Sequence, residues 1–542
     1  MTNARNSSVA QNRTVLEETP LGLPRKVRSI CPDCLKVIEA HLYERDGKVL
    51  MSKECPEHGT FNDIISTDAG IFLRLEELST RARDPLTKTT LDWVGDCPKG
   101  CGICAGHQSN ASLTNLDLTN RCNLRCPFCF ANANVQSYVY EPNLEQLTEM
   151  MNRTLEIRPK RLQAIQFSGG EPTLSPFFLD ACRMAKERDF KMIQAATNGI
   201  RFAREEGFAE KAAEAGLNAA YLQFDGVTDD VYEKTRGVKG LWKVKQKAME
   251  AFRRAGIRVT LVPTMVKGVN DHQLGDIMRY AIENLDVVVG VAPQPVSFTG
   301  RIDQSQRMAM RYTSADVALD IEKQCGLLDA HEDWYPFNVT VPLGELTASI
   351  LGEDSNGFLP MFCNSHPDCG LSAYLLVNTT TGETVPLNQV LDAQNTLKDM
   401  LKLNEKMRQK PSRFYATTKL LAILHKNFRS DKAPSSLSFI KLIKSIDAIS
   451  GKRLLGLAKK KRYEWRMLLL ASMHFMDSYN YQVDRVQRCT IHYSAPNGRI
   501  YPFCTYNSGP VFREMVEKKY SIPKEEWLKK RGGQYVTEGF ME

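Results

Sequence analysis

Residues 119–130 read Thr119-Asn-Arg-Cys122-Asn-Leu-Arg-Cys126-Pro-Phe-Cys129-Phe130, directly after a predicted strand at 115–119. Outward from this stretch, short apolar segments alternate with amphipathic helical segments as far as about residue 300. The predicted strands are residues 115–119, 164–168, 192–197, 219–224, 259–264 and 287–292. Six strand–helix units joined by right-handed crossovers predict an α/β fold in which parallel strands form a partial (β/α)6 barrel. Asn143 is the predicted N-cap of a helix over 144–157.

The three cysteines are spaced Cys-x3-Cys-x2-Cys on a loop at the carboxyl end of the first strand, which is where chemistry collects in such barrels. We predict that Cys122, Cys126 and Cys129 hold three irons of a [4Fe–4S] cluster. The fourth iron would stay open to chelate the amino and carboxylate groups of S-adenosylmethionine (SAM). When reduced, a cluster of this kind cleaves the C–S bond of SAM and releases a 5′-deoxyadenosyl radical.

Residues after later strands suit the same cofactor. Glycine backbone after the second strand can contact the methionine amino group, an Asn-Gly turn after the third can contact the ribose or carboxylate, and apolar backbone at the sixth can stack on adenine. The predicted cofactor-binding residues are Phe128, Gly169, Gly170, Glu171, Asn198, Asp225, Arg236 and Val291. Each motif alone is a common turn. In this order and at strand ends, the motifs of residues 112–300 resemble the radical SAM superfamily.

A separate metal site is predicted near the N-terminus. Cys31-Pro-Asp-Cys34 and Cys55-Pro-Glu-His58 flank a strand-like run, so that two short loops turn four ligands toward one ion. Three thiolates and one imidazole form a tetrahedral set that suits zinc or a mononuclear iron. Because four protein ligands leave no open position, we expect a structural metal at this knuckle.

Seven further cysteines predict one or two auxiliary [4Fe–4S] clusters. They are Cys97, Cys101 and Cys104, followed in the C-terminal half by Cys363, Cys369, Cys489 and Cys504. A zinc knuckle at 97–104 is the alternative. Eight thiols would complete two clusters, so one cluster would take another ligand or keep an open iron; the candidate ligands are His107, His366 and His492. Cys182 and Cys325 stand alone and are interpreted as ordinary buried thiols.

The chain has 542 residues, of which 42% are hydrophobic and 25% charged, and a net charge of +8. This balance excludes a disordered chain, a collagen-like fibre and a polytopic membrane protein. We divide it into a flexible tail (1–24), a rubredoxin-like or zinc-ribbon-like knuckle (25–80), an auxiliary-cluster segment (81–111), the barrel (112–300) and a C-terminal α+β auxiliary-cluster domain (301–542). The polar N-terminus lacks a signal-peptide core, which predicts a cytoplasmic protein.

A basic segment lies within residues 402–470. Between 406 and 466 there are seventeen Lys or Arg residues and three acids, interleaved with apolar residues. Basic amphipathic helices suit an anionic membrane surface or phosphate headgroups. A solvated helical face is the alternative, and no nucleic-acid partner is expected, because no nucleic-acid module accompanies the charge.

The order of knuckle, Cys-Pro-x-Gly-Cys-Gly-x-Cys run, barrel and cysteine-bearing C-terminal domain resembles the archaeal tetraether lipid synthases. This resemblance implies sp3–sp3 C–C bond formation between isoprenoid chains of diether lipids, giving membrane-spanning tetraether lipids. Joining two methyl carbons removes two hydrogen atoms, so two radicals and two SAM molecules are required for each bond. Our hypothesis is that an auxiliary cluster holds the first alkyl radical through a sulfide, and we expect a low-potential electron donor. The resemblance also implies a peripheral position on the inner membrane face.

Three other functions remain open. Some relatives of that family are known as dihydropterin methyltransferases, which would require a small polar pocket. A peptide-modifying radical SAM enzyme also carries C-terminal auxiliary clusters, although it usually binds a leader peptide through a winged-helix module that the knuckle does not resemble. A cluster-bearing electron-transfer or scaffold protein is a further class, against which the intact Cys122/Cys126/Cys129 set and Glu171 argue.

Overall fold

The computed structural model describes residues 21–79, 90–91, 97–158, 160–351, 363–449 and 463–530. Its N-terminal part is a four-stranded antiparallel sheet in which the strands lie in chain order. A small core of Ala40, Leu42, Val49 and Met51 lies between this sheet and the helix that follows it. The elements are β1 (Arg25–Ile30), β2 (Val37–Arg45), β3 (Lys48–Cys55), β4 (Gly59–Ser66) and α1 (Ala69–Leu78).

The predicted alternation of strands and helices is confirmed over the next part of the chain. Six strands, which begin at residues 113, 164, 192, 219, 258 and 288, are parallel neighbours in one sheet. The elements are β5 (Leu113–Thr119), β6 (Tyr138–Tyr140), α2 (Leu144–Leu155), β7 (Ala164–Gly169), α3 (Phe178–Glu187), β8 (Met192–Thr197), α4 (Ile200–Arg204), α5 (Phe208–Ala215), β9 (Ala219–Gln223), α6 (Asp229–Arg236), α7 (Leu241–Ala255), β10 (Arg258–Val262), β11 (Thr264–Met265), α8 (Leu274–Glu283), β12 (Val288–Val291) and β13 (Gln294–Pro295).

Helix α2 begins as the sequence predicts. The Asn143 side chain accepts a hydrogen bond from the backbone of Gln146, whose side chain in turn accepts from the Asn143 backbone. This capping box satisfies two backbone donors that a helix start leaves without partners. Leu147, Met150 and Met151 on the apolar stripe are fully buried against the sheet.

The C-terminal part of the chain extends the same sheet at both edges. Strand β17 (Trp465–Met473) runs parallel to β12 at one edge, and β18 (Ile491–Ser494) runs parallel to β5 at the other. The elements are α9 (Arg307–Met310), α10 (Ser314–Cys325), β14 (Tyr335–Pro336), α11 (Val341–Leu351), β15 (Gly370–Asn378), β16 (Thr384–Pro386), α12 (Leu387–Val390), α13 (Ala393–Gln409), α14 (Arg413–Lys426), α15 (Phe439–Ile449), β17 (Trp465–Met473), α16 (Val483–Gln487), β18 (Ile491–Ser494), β19 (Ile500–Pro502), α17 (Phe503–Asn507), α18 (Phe512–Tyr520), β20 (Ser521–Pro523) and α19 (Lys524–Lys530). The sheet therefore continues past residue 300, where the sequence analysis set the end of the barrel.

Helices α11, α13, α14 and α15 pack around a second apolar core of their own. This helical subdomain covers the far edge of the sheet through β15 and β17. It holds most of the predicted basic segment, of which residues 450–462 lie outside the described residues. No helix of the described residues has the length and apolar character needed to span a bilayer.

A buried ion network joins the N-terminal sheet to the rest of the molecule. The Arg311 guanidinium donates from Nε to Asp63 Oδ1 at 3.0 Å and from Nη1 to Asp477 Oδ2 at 2.6 Å. All three side chains are fully buried. Arg307 is a second ion-pair partner of Asp63, at 2.6 Å, so loss of Arg311 would leave only Asp477 without an ion-pair partner in the apolar interior.

Candidate active site

The loop that follows β5 brings the Cys122, Cys126 and Cys129 thiols to the wall of one cavity. Asn134 fixes the shape of this loop. Its Oδ1 accepts from the Cys122 backbone N–H at 3.0 Å, and its Nδ2 donates to the carbonyl oxygens of Cys122 at 2.5 Å and Leu124 at 3.1 Å. Three convergent thiols on a braced loop fit the donor set of a [4Fe–4S] cluster that keeps one iron open.

A second brace comes from a segment that the sequence analysis did not single out. The Arg301 guanidinium donates to the carbonyl oxygens of Cys126 and Ala133 in the same loop. Beside it, Gly300 has a φ of +68°, and a Cβ at this position would lie 2.4 Å from the Cys129 carbonyl oxygen. Only glycine permits this backbone conformation together with this approach. A Gly-Arg pair shortly after the last barrel strand is too common a signal to have identified them.

The glycine pair after β7 has a packing role of the same kind. A Cβ on Gly169 would lie 2.1 Å from the Thr119 carbonyl oxygen, and one on Gly170 would lie 2.2 Å from that of Arg121. The backbone N–H of Gly170 donates to Thr119 O at 2.8 Å, and that of Glu171 donates to Arg121 O at 2.8 Å. The two glycines therefore let the second strand end lie directly against the start of the cysteine loop.

Glu171 is buried and links two strand ends. Its Oε1 accepts from Thr173 Oγ1 at 2.6 Å and Thr197 Oγ1 at 2.8 Å, and its Oε2 accepts from the Asn198 backbone N–H at 2.8 Å. Burial raises the pKa of this carboxyl above its usual range, and these hydrogen bonds offset only part of the rise. The Asn198 side chain then donates to Asn123 Oδ1 at 2.7 Å, which connects the third strand end to the cysteine loop.

Behind Asn198 lies Lys245, which the sequence analysis missed. Its ammonium group donates to Asn198 O at 2.6 Å and to Gln223 Oε1 at 2.7 Å. Burial lowers its pKa to about 7. A lysine at an inward position of an amphipathic helix was the available signal.

The remaining predicted cofactor-binding residues divide into two groups. Phe128 and Arg236 line the cavity with Gly169, Gly170, Glu171 and Asn198. Asp225 and Val291 do not line the cavity. The Asp225 carboxylate accepts hydrogen bonds from Nε and Nη2 of Arg236, and Val291 is part of the barrel core. The structure thus places Asp225 where it orients Arg236. Direct contact of any of these residues with SAM stays a prediction.

The N-terminal knuckle has the geometry of a tetrahedral metal site. The Cys31 Sγ–His58 Nδ1 distance is 3.7 Å, the Cys34 Sγ–Cys55 Sγ distance is 3.9 Å, and the Cys55 Sγ–His58 Nδ1 distance is 3.5 Å. Ligand bonds of about 2.1–2.3 Å in a tetrahedron require separations of this size. The hydrogen bond from His58 lowers the pKa of Cys55 to about 6, which favours the thiolate that a metal binds. The four predicted ligands are therefore together and fit zinc or iron.

The seven auxiliary cysteines fall into two groups. Cys369, Cys489 and Cys504 line one small cavity of about 20 Å³, and the Cys363 thiol lies 3.3 Å from Thr490 Oγ1 on the same wall. Burial raises the pKa of Cys489, and the thiols of Cys504 and Cys369 raise it further. Four thiols in one buried place match the ligand number of a complete cluster.

Cys97, Cys101 and Cys104 form the other group. Burial raises the pKa of Cys97 well above its usual range, and the Cys101 and Cys104 thiols add to the shift. Cys101 is within hydrogen-bonding reach of Thr505, the residue after Cys504, so the two groups are neighbours.

The three candidate histidines are all buried, and burial lowers the pKa of His107 and of His366 to about 4. His107 Nε2 lies 2.8 Å from the Cys489 carbonyl oxygen, and His366 Nδ1 accepts from the Asp368 backbone. Neither ring nitrogen of His492 has a hydrogen-bond partner among the described residues. Their role as ligands stays a prediction.

One cavity of about 660 Å³ connects the cysteine loop after β5 with two of the auxiliary cysteines and with the helical subdomain. It begins at Cys122, Cys126 and Cys129, passes Cys363 and Cys504, and continues through the barrel interior to helices α13, α14 and α15. Its wall is mostly apolar. A polar row crosses it inside the barrel, where Gln166 Nε2 donates to Asn115 Oδ1 at 2.7 Å and Gln194 donates to Gln166.

Comparison with known proteins agrees with this geometry. The profile of the Radical SAM superfamily matches residues 116–281, and the profile of the HMPTM N-terminal zinc ribbon domain matches residues 23–67. The chain is 40% identical over 523 residues to the 7,8-dihydro-6-hydroxymethylpterin dimethyltransferase of Methanocaldococcus jannaschii, covering 96% of this chain and 100% of the relative.

Two more distant matches cover less than half of this chain. A GTP 3',8-cyclase of Pseudomonas putida is 26% identical over 234 residues, which is 42% of this chain and 66% of the cyclase. The crystal structure of Streptococcus suis SuiB bound to S-adenosylmethionine aligns with a TM-score of 0.33 at 17% identity, over 40% of this chain and 47% of SuiB. The match to the M. jannaschii protein spans nearly the whole of both chains. This protein is therefore a radical SAM enzyme and belongs to the radical SAM family that includes that dihydropterin dimethyltransferase.

Proposed function

We propose that this enzyme joins isoprenoid chains of ether lipids by forming a bond between two sp3 carbons, which yields a membrane-spanning tetraether lipid. The observation that carries the proposal is the apolar cavity of about 660 Å³ that leads away from the cluster cysteines. Its far part is lined by aliphatic side chains of the helical subdomain: Leu343, Leu397, Met400, Leu420, Leu424 and Ile446. A wall of this composition favours hydrocarbon over a polar ring system.

Different residues of this chain would bind the cluster, position the backbone at the SAM site and exclude water. Cys122, Cys126 and Cys129 would hold the cluster, and Glu171 and Asn198 would fix the neighbouring backbone against which SAM binds. When bound, the cluster and SAM supply a carbon-centred radical strong enough to take hydrogen from an unactivated methyl group. Joining two methyl carbons removes one hydrogen atom from each, so two abstractions are required for each bond. The apolar wall would keep water from the reacting carbons between the two events.

The auxiliary cysteines support a role close to the substrate. Cys363 and Cys504 line the main cavity, and Cys504 also lines the smaller one with Cys369 and Cys489. We propose that these four cysteines would hold one auxiliary cluster, beside the part of the cavity in which the first reacting chain would stay while the second reacts. The group at residues 97–104 would bind a further cluster, and a low-potential donor would supply electrons.

A second candidate is methylation of a dihydropterin. It is favoured by the name of the M. jannaschii relative at 40% identity, and by the polar row that crosses the cavity. The Asn115, Gln166 and Gln194 side chains of this row offer the amide donors and acceptors that a pterin edge would require. This substrate would occupy the barrel and would not need the part of the cavity among helices α13–α15.

An anaerobic assay with cluster-loaded enzyme, SAM, a low-potential reductant and an archaeal diether phospholipid tests the proposal. Mass spectrometry should find a dimeric lipid lighter by two hydrogen atoms, with two 5′-deoxyadenosines for each new bond. Turnover of SAM with unchanged lipid would contradict the lipid proposal, and the dihydropterin would then be the next substrate.

A matched pair of variants separates the two substrates. Leu397→Trp narrows the far part of the cavity, whereas Leu401→Trp adds the same ring on the exposed side of α13. The lipid proposal expects Leu397→Trp to lower lipid product at least tenfold and Leu401→Trp to leave it unchanged. Equal product from both variants would contradict a substrate that occupies the helical subdomain.

A further inference from the structure

The hairpin of helices α13 and α14 presents an aromatic side chain to solvent at its tip. Phe414, in the first turn of α14, is 84% exposed, the largest exposure of any large apolar side chain among the described residues. Its neighbour Tyr415 is also exposed, at 39%. Leaving a phenylalanine in water forgoes the free energy of burying its ring, so its place at a helix tip calls for a contact that covers it.

Cations surround this aromatic tip. Residues 402–419 carry six Lys or Arg residues and one acid, which is a net charge of +5 over eighteen residues. Lys402, Lys406, Lys410 and Arg413 are exposed. Within the described part of the chain, none of these four forms an ion pair. Their charge therefore attracts an anionic surface with little compensation from the protein itself.

The opposite face of the same hairpin forms the cavity wall. Leu397 and Met400 of α13, with Leu420 and Leu424 of α14, line the cavity that begins at the cluster cysteines. The hairpin is thus one layer thick between the cavity and the outside. Whatever covers the tip lies next to the far end of the cavity.

We propose that this hairpin is a membrane-docking element, in which Phe414 and Tyr415 insert at the headgroup boundary of an anionic bilayer and the surrounding cations pair with lipid phosphates. The proposal rests on the proposed function, because it names the surface from which a lipid chain would reach the cavity. Aromatic side chains amid Lys and Arg are typical of helices that lie at such an interface. Two aromatic side chains alone fall well short of the area of about 1,000 Å² that a stable protein interface needs.

Co-sedimentation of full-length, cluster-loaded protein with vesicles tests the proposal. The vesicles are phosphatidylcholine alone, or phosphatidylcholine with about one third phosphatidylglycerol. Binding should occur on the anionic vesicles and weaken as salt is added. Absence of binding at low salt would overturn the proposal, as would equal binding to both vesicle types.

Variants locate the surface. Lys410→Glu/Arg413→Glu should lower partitioning at least about 25-fold, since each basic residue near an anionic surface contributes about fivefold. Phe414→Ser should lower it about tenfold. Lys243→Glu/Lys247→Glu makes the same charge change at exposed positions of α7 and should leave partitioning nearly unchanged, apart from a small effect of net charge. Equal losses from the two charge variants would overturn the assignment to this hairpin.

Two further measurements distinguish membrane docking from self-association and from the proposed lipid coupling. Light scattering of wild type and Phe414→Ser checks the second possible occupant of the tip, because a mass that falls from dimer to monomer in the variant would overturn docking in favour of self-association. Lipid product in detergent is then compared with vesicle binding. Binding without product would leave docking standing and contradict lipid coupling, whereas product without binding would do the reverse.

Discussion

Replacing Glu171 by glutamine tests whether this residue positions the backbone at the proposed SAM site. The glutamate carboxylate accepts hydrogen bonds from Thr173, from Thr197 and from the backbone of Asn198, and it has no proton to donate when ionised. Glutamine keeps the shape and one acceptor oxygen. Its other atom is an amide nitrogen that donates and cannot accept.

The magnitude follows from the hydrogen bonds. In the better orientation, the glutamine oxygen keeps the three bonds at Oε1, from the Thr173 backbone at 3.2 Å and the hydroxyls of Thr173 and Thr197 at 2.6 Å and 2.8 Å. Its nitrogen then faces the Asn198 N–H, so a buried donor loses its partner at a cost of about 1–3 kcal/mol. The three remaining bonds weaken because their acceptor is no longer charged. Relief of carboxylate burial offsets part of this loss, and we expect a net cost of about 2–4 kcal/mol.

The assay is equilibrium binding of SAM to cluster-loaded protein under anaerobic conditions, at matched iron content. A cost of about 2 kcal/mol that appears in binding lowers SAM affinity about 30-fold. Thr173→Val is the matched control, because it removes one bond to the same carboxylate and leaves the Asn198 contact intact. The reasoning is refuted if Glu171→Gln binds SAM within about threefold of wild type, or if Thr173→Val loses as much affinity.

Three further predictions concern the glycine beside the cysteine loop, the lysine behind Asn198 and the buried ion network of the N-terminal sheet. Gly300→Ala should lower the iron bound per chain by displacing Cys129. Gly268→Ala is the control, because Gly268 has a similar φ of +75° and open space where its Cβ would lie, and it should keep its iron. Equal iron in both variants would contradict the role of Gly300 in positioning the cysteine loop. Burial lowers the pKa of Lys245 to about 7. Between pH 7 and 10 the unfolded chain therefore binds more protons than the folded chain, and the free energy of unfolding rises with pH. Lys245→Met should remove that rise, and an unchanged slope of melting temperature between pH 7 and 9 would refute it. Arg311→Met leaves the buried Asp477 without its ion-pair partner and Asp63 with Arg307 alone. It should cost about 3–5 kcal/mol, or about 3–5 °C in anaerobic thermal unfolding of a chain this long; a shift below about 1 °C would contradict it.

The sequence was sufficient wherever a signal is local. The predicted strand at 192–197 coincides with β8, and the other five predicted strands differ from the structure by one or two residues at their ends. Alternating apolar runs and a cap such as Asn143 act over a few residues, so their pattern is written directly in the chain. The knuckle ligands came together as expected for the same reason, since each pair sits on one short turn of a hairpin.

The predicted cofactor residues were only partly separable by sequence. Glu171 and Asn198 were identified from motifs at strand ends, and both line the cavity. Asp225 was identified from the same kind of motif, yet its carboxylate accepts from Arg236 and does not line the cavity. A motif gives the position of a residue along the chain and leaves open which way its side chain points once neighbours compete for it.

Tertiary structure alone decided the rest. The sequence determined seven auxiliary cysteines, but their division into a group of four and a group of three depends on contacts between residues as far apart as Cys369 and Cys504. The same holds for the Arg301 brace on the cysteine loop, for the strands β17 and β18 that extend the sheet, and for the cavity that reaches the helical subdomain. Each of these arises from closure of long segments of chain. Spacing fixes which ligands can share a turn, whereas the packing of distant elements fixes which turns meet.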